Sequence, residues 1–283
     1  MAARNLSIAI PLSRSGSLRG ITGILSLMGY RFVRNWLPPM MIIAALLAFW
    51  QFASTAGLVK DFVLPPPLRV ADAFIEDWSL ILKHTRPTLI EAALGFTLGN
   101  TLAISLAVLF IHSSIAERGL FPVALAYRSV PFIAITPVLI LAMGPGMEPK
   151  IVIASMGAFF ITLVNMMRGL RSVDGEAAEL MHSLSANWWQ VLWKVRWPAS
   201  MPFLFSSLKL AAGSCFTGAI AAEWIGSREG LGYLIVLSSY QYKIPTMWAT
   251  IFMASALALT TFLLVAVIEG RMTRWARNAT LPE

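Results

Sequence analysis

Six stretches of mainly apolar residues recur along the chain, at 38–57, 87–111, 120–143, 151–167, 201–222 and 248–268. About twenty apolar residues in helical geometry match the hydrocarbon thickness of a bilayer, so each stretch predicts a spanning helix. Three of the intervals are too long to be simple turns. Residues 58–86 carry Leu64-Pro65-Pro66-Pro67, where proline forbids helix at 65–67, and then a mixed-charge stretch from Arg69 to Lys83 that reads as a short interfacial helix. Residues 223–245 contain Gly226, Gly230 and Gly232 ahead of the apolar run 233–237. That pattern predicts a bent segment dipping toward the membrane, which is permitted only where protein or water covers its backbone.

The third interval, 168–200, carries a different pattern. Asp174 is placed to cap a helix whose early turns hold Glu176 and Glu179, the charge placement that a helix N-terminus favours. Ser185 interrupts the pattern and is placed to cap a second short helix. This one bears Trp188, Trp189, Leu192 and Trp193 along one side and is expected to end at Pro198. Two short aromatic-rich helices at an angle suit the docking of a soluble partner. They suit equally well the packing of tryptophans on the protein's own membrane helices, and the pattern leaves both readings open.

Composition narrows the class. The chain is 57% hydrophobic and only 13% charged, with a mean hydropathy of +0.71, whereas soluble domains carry about 25% charged residues. A soluble enzyme is excluded on that ground. The net charge of +8 then bears on topology. With both termini in the cytoplasm, thirteen loop lysines and arginines fall inside and seven outside, the asymmetry that the positive-inside rule expects. Residues 1–35 hold five arginines and no acid, and their apolar run 6–12 is short and interrupted. They read as a basic cytoplasmic tail suited to anionic lipid, rather than as a secretory signal. Lysines and arginines are nowhere clustered with interleaved aromatics, so nucleic acid is not an expected partner. Cys215 is the single cysteine, which rules out an intrachain disulfide and disfavours a cysteine metal site. His84, His112 and His182 are scattered along the chain and read as single surface histidines without a shared metal.

Four ionisable residues fall in or at the ends of spans. Arg128 and Lys209 lie near the cytoplasmic ends of the third and fifth spans, where each can snorkel to the interface, line a pathway or pair with an acid. Glu91 stands early in the second span, in reach of headgroups or of an outer mouth, and Glu223 closes the fifth. Gly144-Pro145-Gly146-Met147-Glu148-Pro149-Lys150 superficially resembles a phosphate loop but lacks the second glycine beside its lysine and a following Ser/Thr.

The long loop reads Glu179-Leu180-Met181, three residues, Ser185, nine residues, Val195-Arg196-Trp197-Pro198. This resembles the EAA loop of bacterial ABC importer permeases, which runs Glu-Ala-Ala, three residues, Gly, nine residues, Ile-x-Leu-Pro. The departures are Leu180-Met181, Ser185, Val195 and Trp197. Glu176-Ala177-Ala178 spells the motif literally but is three residues out of register with Pro198. Leu64-Pro65-Pro66-Pro67, Val130-Pro131 with Ile135-Thr136-Pro137, Gly144-Pro145-Gly146 before Lys150-Ile151, and Ala222-Glu223-Trp224 running into Gly230-Leu231-Gly232-Tyr233 also look like the nitrate/sulfonate/taurine/bicarbonate branch of those permeases. The resemblance covers roughly residues 60–270.

The resemblance implies an all-α integral membrane protein of the type I importer fold. Its parts are a tail at 1–35, a permease domain at 36–270 with the coupling loop at 169–200, and a tail at 271–283. It implies a non-catalytic subunit of the bacterial inner membrane that imports a small oxyanion or sulfonate. Expected partners are a second permease subunit, two cytoplasmic ATPase subunits that bind ATP and Mg, an external solute-binding protein, and lipid; the chain itself holds no cofactor. Glu179, Leu180, Met181, Ser185, Val195 and Pro198 would couple to the ATPase. Arg128, Pro131, Thr136, Lys209, Glu223, Trp224, Gly230, Gly232 and Tyr233 would belong to the pathway, with Trp224 and Tyr233 in an aromatic wall at its outer mouth. The rivals are a secondary transporter, which would carry an internal repeat and its own coupling-ion site, and a membrane-embedded enzyme, which would need clustered acids or histidines at one face.

Overall fold

Helix accounts for nearly all of the described chain, residues 37–273 of a computed structural model, and no strand occurs among those residues. The expected tail at 1–35 lies outside the described residues, as does the tail expected at 271–283 from residue 274 onward; residues 271 and 272 still belong to the last helix. The chain divides into two compact units, Met1–Pro67 and Leu68–Glu283.

In the first unit, α1 (Leu37–Thr55) is long and apolar enough to span a membrane. Beyond it the Trp50 indole donates to the Pro65 carbonyl and the Ser54 hydroxyl to the Leu64 carbonyl, both at 3.0 Å. These bonds fold the proline-rich turn back on the helix end.

The boundary between the units falls one residue into α2 (Pro67–Glu76), which starts at a proline where no helix was expected and stops at Glu76 rather than running on to Lys83. Pro67 is its first residue, where the missing N–H costs nothing. α3 (Trp78–His112) follows and starts nine residues ahead of the apolar stretch at 87–111, because its first two turns are amphipathic rather than purely apolar. α6 (Glu148–Arg171), α9 (Trp197–Gly226) and α11 (Ile244–Met272) complete the long spans. The most extensive packing joins α6 to α9 and α3 to α6. Their interface is built largely of small side chains, Ala92, Ala154, Ala158, Ala211, Cys215 and Ala219, all buried beside Phe216, which lets backbones approach closely. At Gly95 a Cβ would sit 2.5 Å from the Ala154 Cβ, so a larger residue there would force α3 off α6. Farther along, the buried Thr162 hydroxyl donates to Asn100 Oδ1 at 2.6 Å and crosslinks the same two helices.

The third stretch, expected as one helix, is broken. α4 (Ser114–Ser129) and α5 (Phe132–Met143) meet at 99°. Val130, ahead of Pro131, is extended at φ −83°, ψ 125°, the conformation that a following proline imposes. Among the described residues there are thus five helices suited to spanning, or six if the bent pair counts as one. The glycine-rich segment contains a ten-residue helix, α10 (Leu231–Tyr240), too short to cross a bilayer.

Candidate functional site

Most of the side chains expected to be functional lie toward the two ends of α9 or at the α4–α5 break. At the N-terminal end of α9 lie α7 (Gly175–Ser183) and α8 (Trp188–Val191). No residue of α7 is buried. Glu179 and Leu180 are exposed, Met181 is partly so, and Leu184 just beyond adds further exposed apolar surface. Asp174 occupies the N-cap position of α7, but its side chain makes no capping bond.

Ser185 ends α7 rather than capping α8. The Ala186 N–H donates to the Met181 carbonyl and the Ser185 N–H to the His182 carbonyl, at 3.0 and 2.9 Å. These are the two bonds of a Schellman turn, with Ser185 in its left-handed position at φ 53°. The cap of α8 is Asn187, which accepts from the Gln190 N–H while the Gln190 side chain accepts from the Asn187 N–H, both at 2.9 Å. Left-handed backbone costs a residue with a Cβ roughly 1–2 kcal/mol, and glycine's added chain entropy recovers part of that difference. Ser185→Gly is therefore expected to be neutral or to stabilise by up to about 1 kcal/mol, whereas Ser185→Val, β-branched at positive φ, destabilises the turn. Thermal unfolding and transport of both variants check this; a Val variant matching the wild type in both contradicts it.

Pro198 does not end the second helix. The chain passes from α8 through a π-helical turn, Leu192–Arg196, directly into α9, with Pro198 in the first turn of α9. The Trp197 N–H bonds five residues back to the Leu192 carbonyl. This shift of register admits the proline, which has no N–H to give. Val195 and Pro198 are partly buried along this join. The four tryptophans divide between the two readings. Trp188 and Trp197 pack on the core beside Leu170, Leu192 and Leu204, and Trp188 meets the His112 ring at 4.4 Å. Trp189 and Trp193 are 61% and 55% exposed.

At the opposite end of α9 a buried polar cluster holds α10 in place. The three amides opening α10 are each taken by a side chain. Gly230 N–H donates to His84 Nδ1 at 3.1 Å, Leu231 N–H to Thr88 Oγ1 at 2.8 Å, and Gly232 N–H to Glu223 Oε2 at 2.5 Å. Thr88 in turn donates to Glu223 Oε1 at 2.6 Å. A carboxylate facing a helix N-terminus is also favoured by the helix dipole. Gly230 adopts φ +108°, a backbone open essentially to glycine alone, which lets the chain turn from α9 onto this cap. Beside it Lys150 Nζ donates to Glu91 Oε1 at 3.0 Å and to Ser227 Oγ at 2.9 Å. Glu91 is fully buried against Lys150 rather than standing free, and His84 is buried rather than a surface histidine. Lys150 belongs to α6, not to a loop.

Of the remaining expected pathway residues, Lys209 is ion-paired with Glu269 of α11 at 2.6 Å. Arg128 is exposed in the last turn of α4, and its guanidinium stands 5.7 Å from the centre of the Phe160 ring. It makes no ion pair among the described residues. Pro131, exposed, opens the break, and Thr136 is fully buried on α5 with its hydroxyl lacking a hydrogen-bond partner among the described residues. Trp224, 54% exposed, borders an apolar groove of about 450 Å³ with Ile133, Thr217, Ile220, Ile235 and Ser255. Tyr233 faces the His84 ring instead, at 5.7 Å, so the two aromatics have different neighbours.

The chain is similar to known proteins. Residues 99–274 match the family described as binding-protein-dependent transport system inner membrane component. The putative aliphatic sulfonates transport permease protein SsuC of Bacillus subtilis is 31% identical over 250 residues, 87% of this chain and 89% of that protein. The riboflavin transport system permease protein RibX of Chloroflexus aurantiacus is 31% identical over 232 residues, 81% of this chain and 87% of its own length. The inward-facing MetNI methionine ABC transporter has a chain of the same fold, with a TM-score of 0.57 at 19% identity, covering 68% of this chain and 94% of that one.

Proposed function

Because the chain belongs to the binding-protein-dependent transport system inner membrane component family, we propose that it forms the inner-membrane pathway for a small oxyanion, with an aliphatic sulfonate as the leading substrate class. It is a non-catalytic, multi-pass permease subunit of an ABC importer, and ATP is hydrolysed by a separate ATPase. The family works with an ATPase and a solute-binding protein. Our reading adds that two permease chains, identical or closely related, enclose the pathway and that two ATPase subunits hold ATP and Mg. It places both termini in the cytoplasm, the permease domain at 36–270 and the coupling loop at 169–200.

The observation that carries the substrate class is Arg128. It is an exposed cation at a 99° helix break, next to the N-terminus of α5, whose first amides lack intrahelical partners. A broken helix presenting an N-terminus and a cation suits an anionic group. Sulfonate transport by one relative agrees with this. The apolar groove edged by Trp224 favours a second reading, a flat heterocycle, in line with the riboflavin relative. Titrating the partner solute-binding protein with short alkanesulfonates and with riboflavin separates the two. Binding of the sulfonates alone supports the first reading, and binding of riboflavin alone overturns it.

Topology has its own test. In a Cys215→Ser background, single cysteines at positions 10 and 278 are expected to stay unlabelled when intact cells meet an impermeant thiol reagent. Labelling of either from outside contradicts the cytoplasmic placement.

A further inference from the structure

Besides the apolar groove, the second unit carries an open groove of about 720 Å³ between the first turns of α3 and the start of α6. Lys83, Arg86 and Lys150 line it with Glu91, Glu229 and Leu82. Lys150 is committed to Glu91 and Ser227. Lys83 and Arg86 are exposed and make no hydrogen bond or ion pair among the described residues. Both stand at the membrane–water boundary, in the turn of α3 just ahead of the apolar stretch that begins at residue 87.

What lies beyond them on α3 separates the occupants. Arg86, Ile90, Leu94, Leu98 and Leu102 succeed one another at four-residue spacing, so they form one ridge of the helix. The four apolar members are all at least one-third exposed, at 37%, 49%, 41% and 52%. A pair of free cations above a continuous apolar ridge matches an amphiphile with an anionic head and a long tail. A short free oxyanion would use only the cations. We propose that this groove is a binding site for an anionic phospholipid, its phosphodiester held by Lys83 and Arg86 and an acyl chain laid along the Ile90–Leu94–Leu98–Leu102 ridge. The site is separate from the Arg128 break and rests on the membrane placement of α3, not on which solute is carried. Glu229 at the rim reduces the excess of positive charge, which leaves the selection between headgroups to the two free cations.

The test is native mass spectrometry of the full-length chain released from detergent with equal amounts of phosphatidylglycerol and phosphatidylcholine of the same acyl composition. Both basic residues near the membrane surface favour anionic lipid, so the wild type is expected to retain phosphatidylglycerol over phosphatidylcholine by about 30-fold. The doubly exposed pair Lys83→Gln/Arg86→Gln is expected to lose most of that preference, and Lys83→Arg/Arg86→Lys to keep it. No preference in the wild type, an unchanged preference in the Gln pair, or loss in the charge-preserving pair overturns the proposal. Displacement of bound phosphatidylglycerol by millimolar ethanesulfonate would overturn it too, by assigning the groove to a free oxyanion.

Discussion

Replacing Lys150 by methionine is expected to cost about 3–5 kcal/mol, because it strands the Glu91 carboxylate in a site with no exposure to water. The lysine is itself only 5% exposed, and its ammonium bridges α3, through Glu91, to the segment after α9, through Ser227. For a chain of this size such a loss lowers the unfolding midpoint by roughly 10 °C. The double variant Lys150→Met/Glu91→Leu removes both charges, and replacing a whole buried pair by apolar groups is often neutral. It is expected to recover most of the stability. Thermal unfolding in one detergent compares the three proteins. A single variant as stable as the wild type, or a double variant no better than the single, would show that the pair does not hold the helices in the way the geometry implies.

Transport should respond most to Arg128. Under the substrate reading proposed above, its guanidinium meets the anionic group at the α4–α5 break, and a hydrogen-bonded charge contact of this kind is worth about 1.5–3 kcal/mol. Arg128→Gln is then expected to lower uptake by roughly 10- to 100-fold. Arg128→Lys, which keeps the charge but loses the planar fork, should fall between. Because the side chain is exposed and unpaired among the described residues, membrane levels of both variants should match the wild type. Uptake by the Gln variant within twofold of wild type removes Arg128 from the pathway.

Much of the fold was legible because apolar length is a strong signal. The stretches at 38–57, 151–167 and 248–268 each sit within α1 or a longer helix, to within a few residues. The third stretch misled because hydropathy does not register a bend; Val130-Pro131 was the visible sign, and proline's constraint on the residue before it was the physical cause. Pro198 misled in the opposite direction, since a π turn carries the helix through it. The polar cluster was the least legible part. Glu91 and Lys150 are 59 residues apart, and Thr88 and Glu223 are 135 apart. One sequence records no pairing between helices, so it shows neither the Glu91–Lys150 pair nor the caps that His84 and Thr88 supply. Their one local sign was the placement of Glu223 seven residues before Gly230, at a distance that a single turn of chain can close. Ser185 stands at the glycine position of the motif, and its left-handed backbone gives that place a physical meaning.

We propose that α7, which has no buried residue, is the element through which the separate ATPase drives this permease. It is tested most directly by Glu179→Arg in the purified complex, measuring ATP hydrolysis with and without the loaded solute-binding protein. Glu179 is exposed, so the substitution leaves the membrane helices and their packing untouched. The account expects a normally inserted permease whose ATPase activity no longer rises when the loaded binding protein is added. Wild-type stimulation in that variant would contradict it.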